Sequence, residues 1–292
     1  MFVTVQFFVA SVTPFDQEGK FNPTSMEKLM ERHIKEGADG FFIGGSTGEC
    51  FLLTQEERIG AFGVASQFAD RSTIYAHIGA VSTPTAVELA IQARILGIKH
   101  ISATPPFYFA LSPKEVRAYY SDLSNAAQMP VLFYNIPSST YFNLDLDNPD
   151  IRALLCSGAI SGVKHISLNL YQIERIRNIN PDLVCYGGYE NSILPFLAHG
   201  CDGFIGSSFN CMLPQYKKMA TLYTQGTHKE ALALQRKANN ILDALFKTGI
   251  PAGLKYILRQ QGNDVGNVRA PLLPLDDATQ KKLSRIWKEN QF

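Results

Sequence analysis

The chain lacks long runs of any one chemical kind. None of its apolar segments is long enough to cross a bilayer as a helix, and no cluster of Lys or Arg stands out among its 292 residues. The formal net charge is only +1, so nothing in the charge distribution attracts the chain to nucleic acid or to an anionic membrane surface. We therefore expect neither nucleic acid nor a membrane as a partner.

Paired cysteines and metal-ligand spacings are also missing. The cysteines are scattered, odd in number and without a CxxC pair: Cys50, Cys156, Cys185, Cys201 and Cys211. This pattern predicts reduced thiols in a cytoplasmic protein rather than a disulfide framework or a zinc site. The histidines show no metal spacing either: His33, His77, His100, His165, His199 and His228. We interpret them as packing or surface residues and expect no metal.

What the sequence does have is an alternation of short apolar runs with helical patterns. Eight runs are typical of strands: Phe7–Val12, Gly40–Ile43, Ile74–Ile78, His100–Ala103, Val131–Tyr134, Ile160–Lys164, Val184–Tyr186 and Gly203–Ile205. A helical pattern follows each, and the last is predicted over Leu213–Gln225. Eight such units predict a (β/α)8 barrel of the α/β class, because the competing open doubly wound sheet would not need eight.

Capping residues predict where several helices begin, and a change to purely helical patterns predicts where the barrel ends. The first helix is predicted over Ser25–Glu36, with Thr24 or Ser25 as its cap. Thr54 with Glu57 forms a capping box signature, and Ser112 before a proline is typical of a helix start. Beyond the barrel pattern, three segments are helical only: Lys229–Phe246, Ile250–Gln261 and Asp277–Lys288. We predict that residues 1–226 form the barrel and that 227–292 form a helical extension packed on it, within one structural unit.

The barrel prediction directs attention to the residues that end each strand, because catalytic residues lie at the C-terminal ends of barrel strands. Lys164 ends the sixth predicted strand. Desolvation there would disfavour its ammonium form, and a neutral amine can attack a carbonyl to form an imine. A structural ion pair, or an amine that reaches solvent, is an equally weighted alternative. Tyr134 ends the fifth strand and would place a phenol in the same mouth, although a packed core tyrosine is commoner.

Two further strand ends carry polar groups. The turn Gly44–Gly48 matches neither the P-loop nor the dinucleotide fingerprint. Its backbone N–H groups could hold a small carboxylate, or the segment could be a plain tight turn. Glu190, after the seventh strand, could be a general acid or a ligand of substrate hydroxyls, or simply a charge favoured at a helix N-terminus.

Four motifs stand in a fixed order at these strand ends: GGSTGE at Gly44–Glu49, YNIP at Tyr134–Pro137, GVK at Gly162–Lys164 and GS at Gly206–Ser207. Through them the chain resembles the dihydrodipicolinate synthase/N-acetylneuraminate lyase family over nearly its whole length. Within the family it is more similar to the sialic acid lyases, through the segments Gly44–Leu53, Ala76–Thr83, Leu170–Arg177 and Lys247–Gly249. Ser139 stands where the synthases carry an arginine, which argues against the synthase role.

The resemblance implies a class I aldolase that needs neither metal nor organic cofactor. Lys164 would form an imine with a 2-keto acid substrate, and the products would be pyruvate and an aldehyde. Tyr134 would move the proton, assisted by Ser46 and by Tyr108 from a neighbouring subunit of a homotetramer. The resemblance places seven further residues around the substrate: Gly45, Thr47, Ile166, Gly188, Glu190, Asn191 and Ser207.

The identity of the substrate stays open at this point. N-acetylneuraminate is the leading candidate, but Glu190-Asn191 replaces the Asp-Glu of the lyases and Ile166 replaces a threonine. These departures favour another 2-keto-3-deoxy acid, such as 2-keto-3-deoxygluconate; 4-hydroxy-tetrahydrodipicolinate synthesis is less favoured. An alternative of a different class is a protein that only binds a 2-keto acid. Retention of Lys164 and Tyr134 argues against it, because binding alone would not need the amine.

Overall fold

Eight parallel strands close into a barrel in the computed structural model, which describes residues 5–290. Each strand pairs with the next along the chain, and the eighth pairs with the first. The strands are β1 Gln6–Ala10, β2 Gly40–Ile43, β3 Thr73–His77, β4 His100–Ala103, β5 Val131–Asn135, β6 Ile160–His165, β7 Val184–Gly187 and β8 Gly203–Gly206. All eight predicted strands and the closed barrel are therefore confirmed, and the open sheet is excluded.

Helices surround the barrel and extend beyond it. They are α1 Pro23–Lys35, α2 Gln55–Ser66, α3 Thr83–Ile95, α4 Pro113–Ala127, α5 Pro137–Thr140, α6 Pro149–Cys156, α7 Tyr171–Ile179, α8 Ile193–Ala198, α9 Phe209–Thr224, α10 His228–Thr248, α11 Ile250–Gln260 and α12 Asp277–Glu289. The short helix α5 was not predicted. Helix α10 packs against α8 and α9, and α11 packs against α9, so the C-terminal helices lie on the barrel. None of the helices within residues 5–290 is both long enough and apolar enough to span a membrane.

The helix starts show which capping signals were interpreted correctly. The capping box of Thr54 and Glu57 is present, and Ser112 caps α4. The predicted cap of α1 was wrong, because Asn22 is the N-cap and its side chain accepts a hydrogen bond from the Ser25 backbone N–H at 3.0 Å. Asn caps at least as well as Ser or Thr, and the proline after it suits the first helical position.

Three other helix starts differ from the prediction. Helix α9 begins at Phe209, one turn before the predicted Leu213, and carries Pro214 inside it with non-helical backbone at Met212. The kink accommodates this proline within a longer helix than the sequence pattern predicts. The sequence pattern predicts a helix over Leu168–Asn178, but α7 begins at Tyr171. The pattern over Asn191–His199 predicts a continuous helix, but a single 3-10 turn precedes α8.

The barrel interior is filled mainly by large side chains. One cluster of buried residues points inward from the strands and the segments that follow them: Phe8, Ala10, Phe42, Tyr75, Leu132, Tyr134, Ile136, Tyr186 and Ile205. A larger apolar cluster lies between the strands and the helices. The interior of the barrel below the strand ends is thus mainly a packed core.

An irregularity in the pairing of β5 with β6 sets the direction of Lys164. Val131 pairs with Ile160, but the next pair is Leu132 with Gly162, so Ser161 is passed over. Tyr134 consequently pairs with Lys164. Because side chains alternate between the two faces of a strand, this one-residue shift places both side chains on the inner face.

Glycine at position 162 is required by close backbone packing. A Cβ there would lie 2.1 Å from the Val184 carbonyl oxygen, whereas one added at Gly63, inside α2, would meet nothing within 4 Å. We expect Gly162→Ala to lower the free energy of unfolding by about 1–3 kcal/mol and Gly63→Ala to raise it by about 0.5–1 kcal/mol. Urea denaturation followed by circular dichroism measures both. Equal effects of the two substitutions would contradict this account of β6.

Candidate active site

The amine of Lys164 lies inside the barrel mouth between two aromatic rings. The residue is 3% exposed, and its Nζ lies 3.9 Å from the centroid of the Tyr134 ring and 4.1 Å from that of Phe42. Within residues 5–290, none of the carboxylates forms an ion pair with it. Burial lowers the pKa of Lys164 to about 7, although the nearby Glu190 carboxylate opposes this. A large fraction of the amine is therefore neutral at physiological pH.

The phenol of Tyr134 connects the amine to the turn after β2. Its hydroxyl lies 3.4 Å from the Ser46 Oγ, and Ser46 itself is exposed in the mouth. Burial raises the pKa of the Tyr134 phenol, so the group carries its proton at neutral pH. Tyr134 thus contacts the Lys164 amine through its ring and Ser46 through its hydroxyl.

The turn after β2 is a tight 3-10 turn, Ser46–Gly48. Gly45 precedes it, and a Cβ at that position would lie 2.6 Å from the Phe42 ring, so a side chain there would displace the ring that covers Lys164. The Thr47 Oγ1 lies 2.7 Å from the Ser207 Oγ of the loop after β8. The turn therefore presents the Ser46 hydroxyl to the mouth, while the Thr47 hydroxyl is fixed by the neighbouring loop.

His77, at the end of β3, supports this turn from below. Its Nδ1 donates to the Gly44 carbonyl at 2.8 Å, and its Nε2 accepts from the Thr104 backbone N–H at 3.4 Å. Burial holds the pKa of His77 well below its usual range, which keeps the ring neutral and able to play both roles. The prediction of an ordinary packing histidine describes its burial but missed its position beneath the candidate site.

The opposite side of the mouth is formed by the ends of β6, β7 and β8. The buried Glu190 carboxylate accepts from the Ser208 backbone N–H at 2.7 Å and from the Ser208 Oγ at 3.2 Å. Ile166 packs against the inner barrel cluster. A Cβ at Gly188 would lie 2.3 Å from the Ile166 Cγ1, so these two positions fit closely together. Asn191, half-buried, accepts from the Ser192 hydroxyl.

A cavity of about 280 Å³ opens beside Ser46 on the side of β4 and β5. It is lined by Ser46, Glu49, Cys50, Phe51, Leu52, Thr104, Phe107, Ile136, Ser139, Thr140 and Leu272. Tyr108 is not among them: it is 84% exposed and contacts the neighbouring Phe109 ring. Of the predicted catalytic residues, the fold brings Lys164, Tyr134 and Ser46 together, whereas the Tyr108 side chain is exposed in the loop after β4.

Two features of the site were not anticipated from the sequence. Phe42 covers the amine, and His77 holds the turn. Phe42 stands in an apolar run in which every residue is buried, so the pattern could not distinguish inward from outward side chains. The placement of a histidine at the end of a predicted strand was the only available signal for His77.

Comparisons with known proteins find relatives along nearly the whole chain. The model of the family described as "Dihydrodipicolinate synthetase family" matches residues 4–290. The N-acetylneuraminate lyase of Citrobacter koseri is 36% identical over 285 residues, which cover 96% of this chain and 95% of that protein. The N-acetylneuraminate lyase of Salmonella agona is 36% identical over 273 residues, with 92% and 91% covered.

Solved structures extend the likeness to the whole fold. The N-acetylneuraminate lyase from Fusobacterium nucleatum superposes with a TM-score of 0.91 at 28% identity and covers 100% of both chains. A dihydrodipicolinate synthase from Bacillus anthracis gives a TM-score of 0.93 at 25% identity, with 99% of each chain covered. The chain therefore belongs to the dihydrodipicolinate synthetase family of class I aldolases, and it is a carbon–carbon lyase.

Proposed function

We propose that this lyase cleaves a 2-keto-3-deoxy sugar acid to pyruvate and an aldehyde through an imine on Lys164. The observation that carries the proposal is the burial of the Lys164 amine at the end of β6, where its pKa falls to about 7. The neutral amine attacks the C2 ketone, and loss of water yields an iminium. The iminium then accepts the electron pair of the C3–C4 bond as the C4 hydroxyl loses its proton, which leaves an enamine of pyruvate and an aldehyde.

In this scheme Tyr134 transfers the protons. The centroid of its ring lies 3.9 Å from the amine, and its protonated hydroxyl lies 3.4 Å from the Ser46 Oγ. We assign to this hydroxyl the donation of a proton to the hydroxyl that leaves as water, and the later uptake of the proton of the C4 hydroxyl. No organic cofactor or metal is part of the proposal, because the iminium supplies the electron sink. Hydrolysis of the imine, after the enamine carbon takes up a proton, releases pyruvate and restores Lys164.

The substrate carboxylate is assigned to the turn Ser46–Gly48. Successive backbone N–H groups in such a turn make a cradle for an anion, and the Ser46 hydroxyl faces the same space. Gly45 and Ser207 support the arrangement, the first by leaving room for Phe42 and the second through Thr47.

The aldehyde portion of the substrate is assigned to Gly188, Glu190, Asn191 and Ile166, with N-acetylneuraminate as the leading substrate. Identity to proteins named N-acetylneuraminate lyase supports this choice. Ser139, which lines the cavity beside Ser46, offers no cation for a second carboxylate, and this argues against dihydrodipicolinate synthesis. Ile166 and Asn191 favour a second candidate, a shorter 2-keto-3-deoxy acid, because Ile166 forms no hydrogen bond with a sugar hydroxyl.

We also propose a homotetramer in which Tyr108 completes the site of a neighbouring subunit. Tyr108 is exposed in a left-handed backbone conformation with φ 83°, beside the exposed Phe109. Exposed aromatic side chains in the loop after β4 suit a contact between copies of the chain.

Trapping of the imine tests the central step. Pyruvate with cyanoborohydride should add a reduced pyruvyl group to the peptide that carries Lys164, and Lys164→Arg should abolish the adduct because a guanidinium stays protonated. Only the neutral amine attacks, so the trapping rate should rise about tenfold per pH unit below the pKa of about 7 and level off above it. Lys255, buried elsewhere, serves as an internal control. Labelling at another lysine, or a rate independent of pH, would contradict the assignment.

A substrate panel tests the aldehyde side. We expect a higher kcat/KM for N-acetylneuraminate than for 2-keto-3-deoxygluconate, and we expect Ile166→Thr/Asn191→Glu to widen the preference about tenfold, because restored hydrogen-bonding groups discriminate more strongly. Pyruvate release in a coupled assay measures both. A wild-type preference for the shorter acid would transfer the assignment to that acid, and efficient condensation of pyruvate with aspartate semialdehyde would overturn both.

Mixed oligomers test the role of Tyr108. Tyr108→Ala and Lys164→Ala chains with different tags are co-expressed, and the hetero-oligomer is purified through both tags. We expect it to be far more active than either variant alone, since one of its sites joins an intact Lys164 to the partner subunit's Tyr108. Absence of recovery, or an active monomer in light scattering, would show that the site is not shared.

A further inference from the structure

A buried ion pair links the turn after β2 to the C-terminal helices. The Glu49 Oε1 lies 2.7 Å from the Lys255 Nζ of α11, and both side chains are wholly inaccessible to solvent. The other carboxylate oxygen accepts from the Arg269 backbone N–H at 2.8 Å. Glu49 ends the motif that carries Ser46 and Thr47, yet both of its partners come from the last 40 or so residues of the chain.

The backbone of Glu49 needs this support. Its φ of 58° and ψ of 34° place it in the left-handed region, where its N–H donates to the Ser46 carbonyl and closes the turn. A residue with a side chain holds such a conformation only when its surroundings enforce it. Here the side chain is anchored at both oxygens, so the anchoring of Glu49 determines where the turn ends.

The partners of Glu49 are themselves tightly held. Lys255 donates to the Asn267 carbonyl at 2.9 Å, and its Nζ lies 3.9 Å from the centroid of the Phe15 ring. The Arg269 side chain forms a salt bridge with Glu57 at the start of α2. On the other side of the turn, the Gly48 carbonyl accepts from the Thr13 Oγ1 at 2.7 Å. The segment from Lys255 to Arg269 therefore contacts the loops after β1 and β2 at once.

We propose that Glu49 is a positioning residue, anchored by Lys255 and Arg269, that holds the turn Ser46–Gly48 in the conformation that binds the substrate carboxylate. The inference rests on the proposed function, which assigns the carboxylate to that turn. Glu49 does not touch the substrate in this scheme. It acts through the position of the Ser46 hydroxyl and the turn N–H groups, so the C-terminal helices contribute to substrate binding as well as to the fold.

The test compares pyruvate with pyruvamide, which has the same ketone but no carboxylate. The second-order rate of cyanoborohydride trapping is measured for both in the wild type, in Glu49→Gln and in Glu57→Gln. The last is the matched control, because it removes a carboxylate from the same cluster without removing the Arg269 backbone donor. We expect Glu49→Gln to reduce the preference for pyruvate over pyruvamide about tenfold or more, since displacements on the order of 1 Å can cost on the order of 10²-fold.

Each outcome decides the matter. If a folded Glu49→Gln protein keeps the wild-type preference for pyruvate over pyruvamide, Glu49 has only a structural role, whatever the thermal stability of the variant. An equal loss of preference in Glu57→Gln would lead to the same conclusion. If Glu49→Gln does not fold, Glu49→Gln/Lys255→Met is measured against the same criterion, because removing both charges of a buried pair is tolerated better than removing one. A wild type without any Lys164 adduct would instead reject the proposed function, and this inference with it.

Discussion

The cost of burying a charged amine is the constraint on which this site depends. Lys164 lies on the inner face of a barrel filled with aromatic side chains, and burial there lowers its pKa to about 7. At the surface, water would hydrate an ammonium group. Here the rings of Phe42 and Tyr134 occupy the space beside the amine and exclude that water. The packing that closes the barrel is thus the same packing that prepares the amine for attack on a ketone.

Two lysines are buried within residues 5–290, and they differ in their polar contacts. Lys255 has a carboxylate 2.7 Å away and a backbone carbonyl as a second acceptor, whereas Lys164 has neither contact. Burial lowers the pKa of both, to about 8 for Lys255 and about 7 for Lys164, and the charge of Glu49 opposes the change at Lys255. An anchored ammonium suits a structural junction, and a neutral amine suits covalent chemistry.

The sequence predicted secondary structure correctly where that structure depends on residues close together in the chain. Strand bounds at β2 and β4, the capping box at Thr54 and the helical nature of the C-terminal segments follow from alternation and capping, and the structure has them. Local patterns failed at Asn22 and at Phe209. At the first, Asn22 caps the helix although Thr24 and Ser25 are also of residue types that cap helices, and at the second a helix continues through a proline.

The sequence by itself determined the succession of eight strand–helix units, and hence that Lys164, Tyr134 and Ser46 stand at the same end of one barrel. Strand ends converge in such a fold whatever their separation along the chain. Only the tertiary structure decided the rest. The skipped Ser161 places Lys164 on the same face as Tyr134, the Tyr108 side chain is left exposed, and Lys255 contacts Glu49 across more than 200 residues. Register and long-range ion pairs depend on how elements pack, and no periodicity within a single segment records that packing.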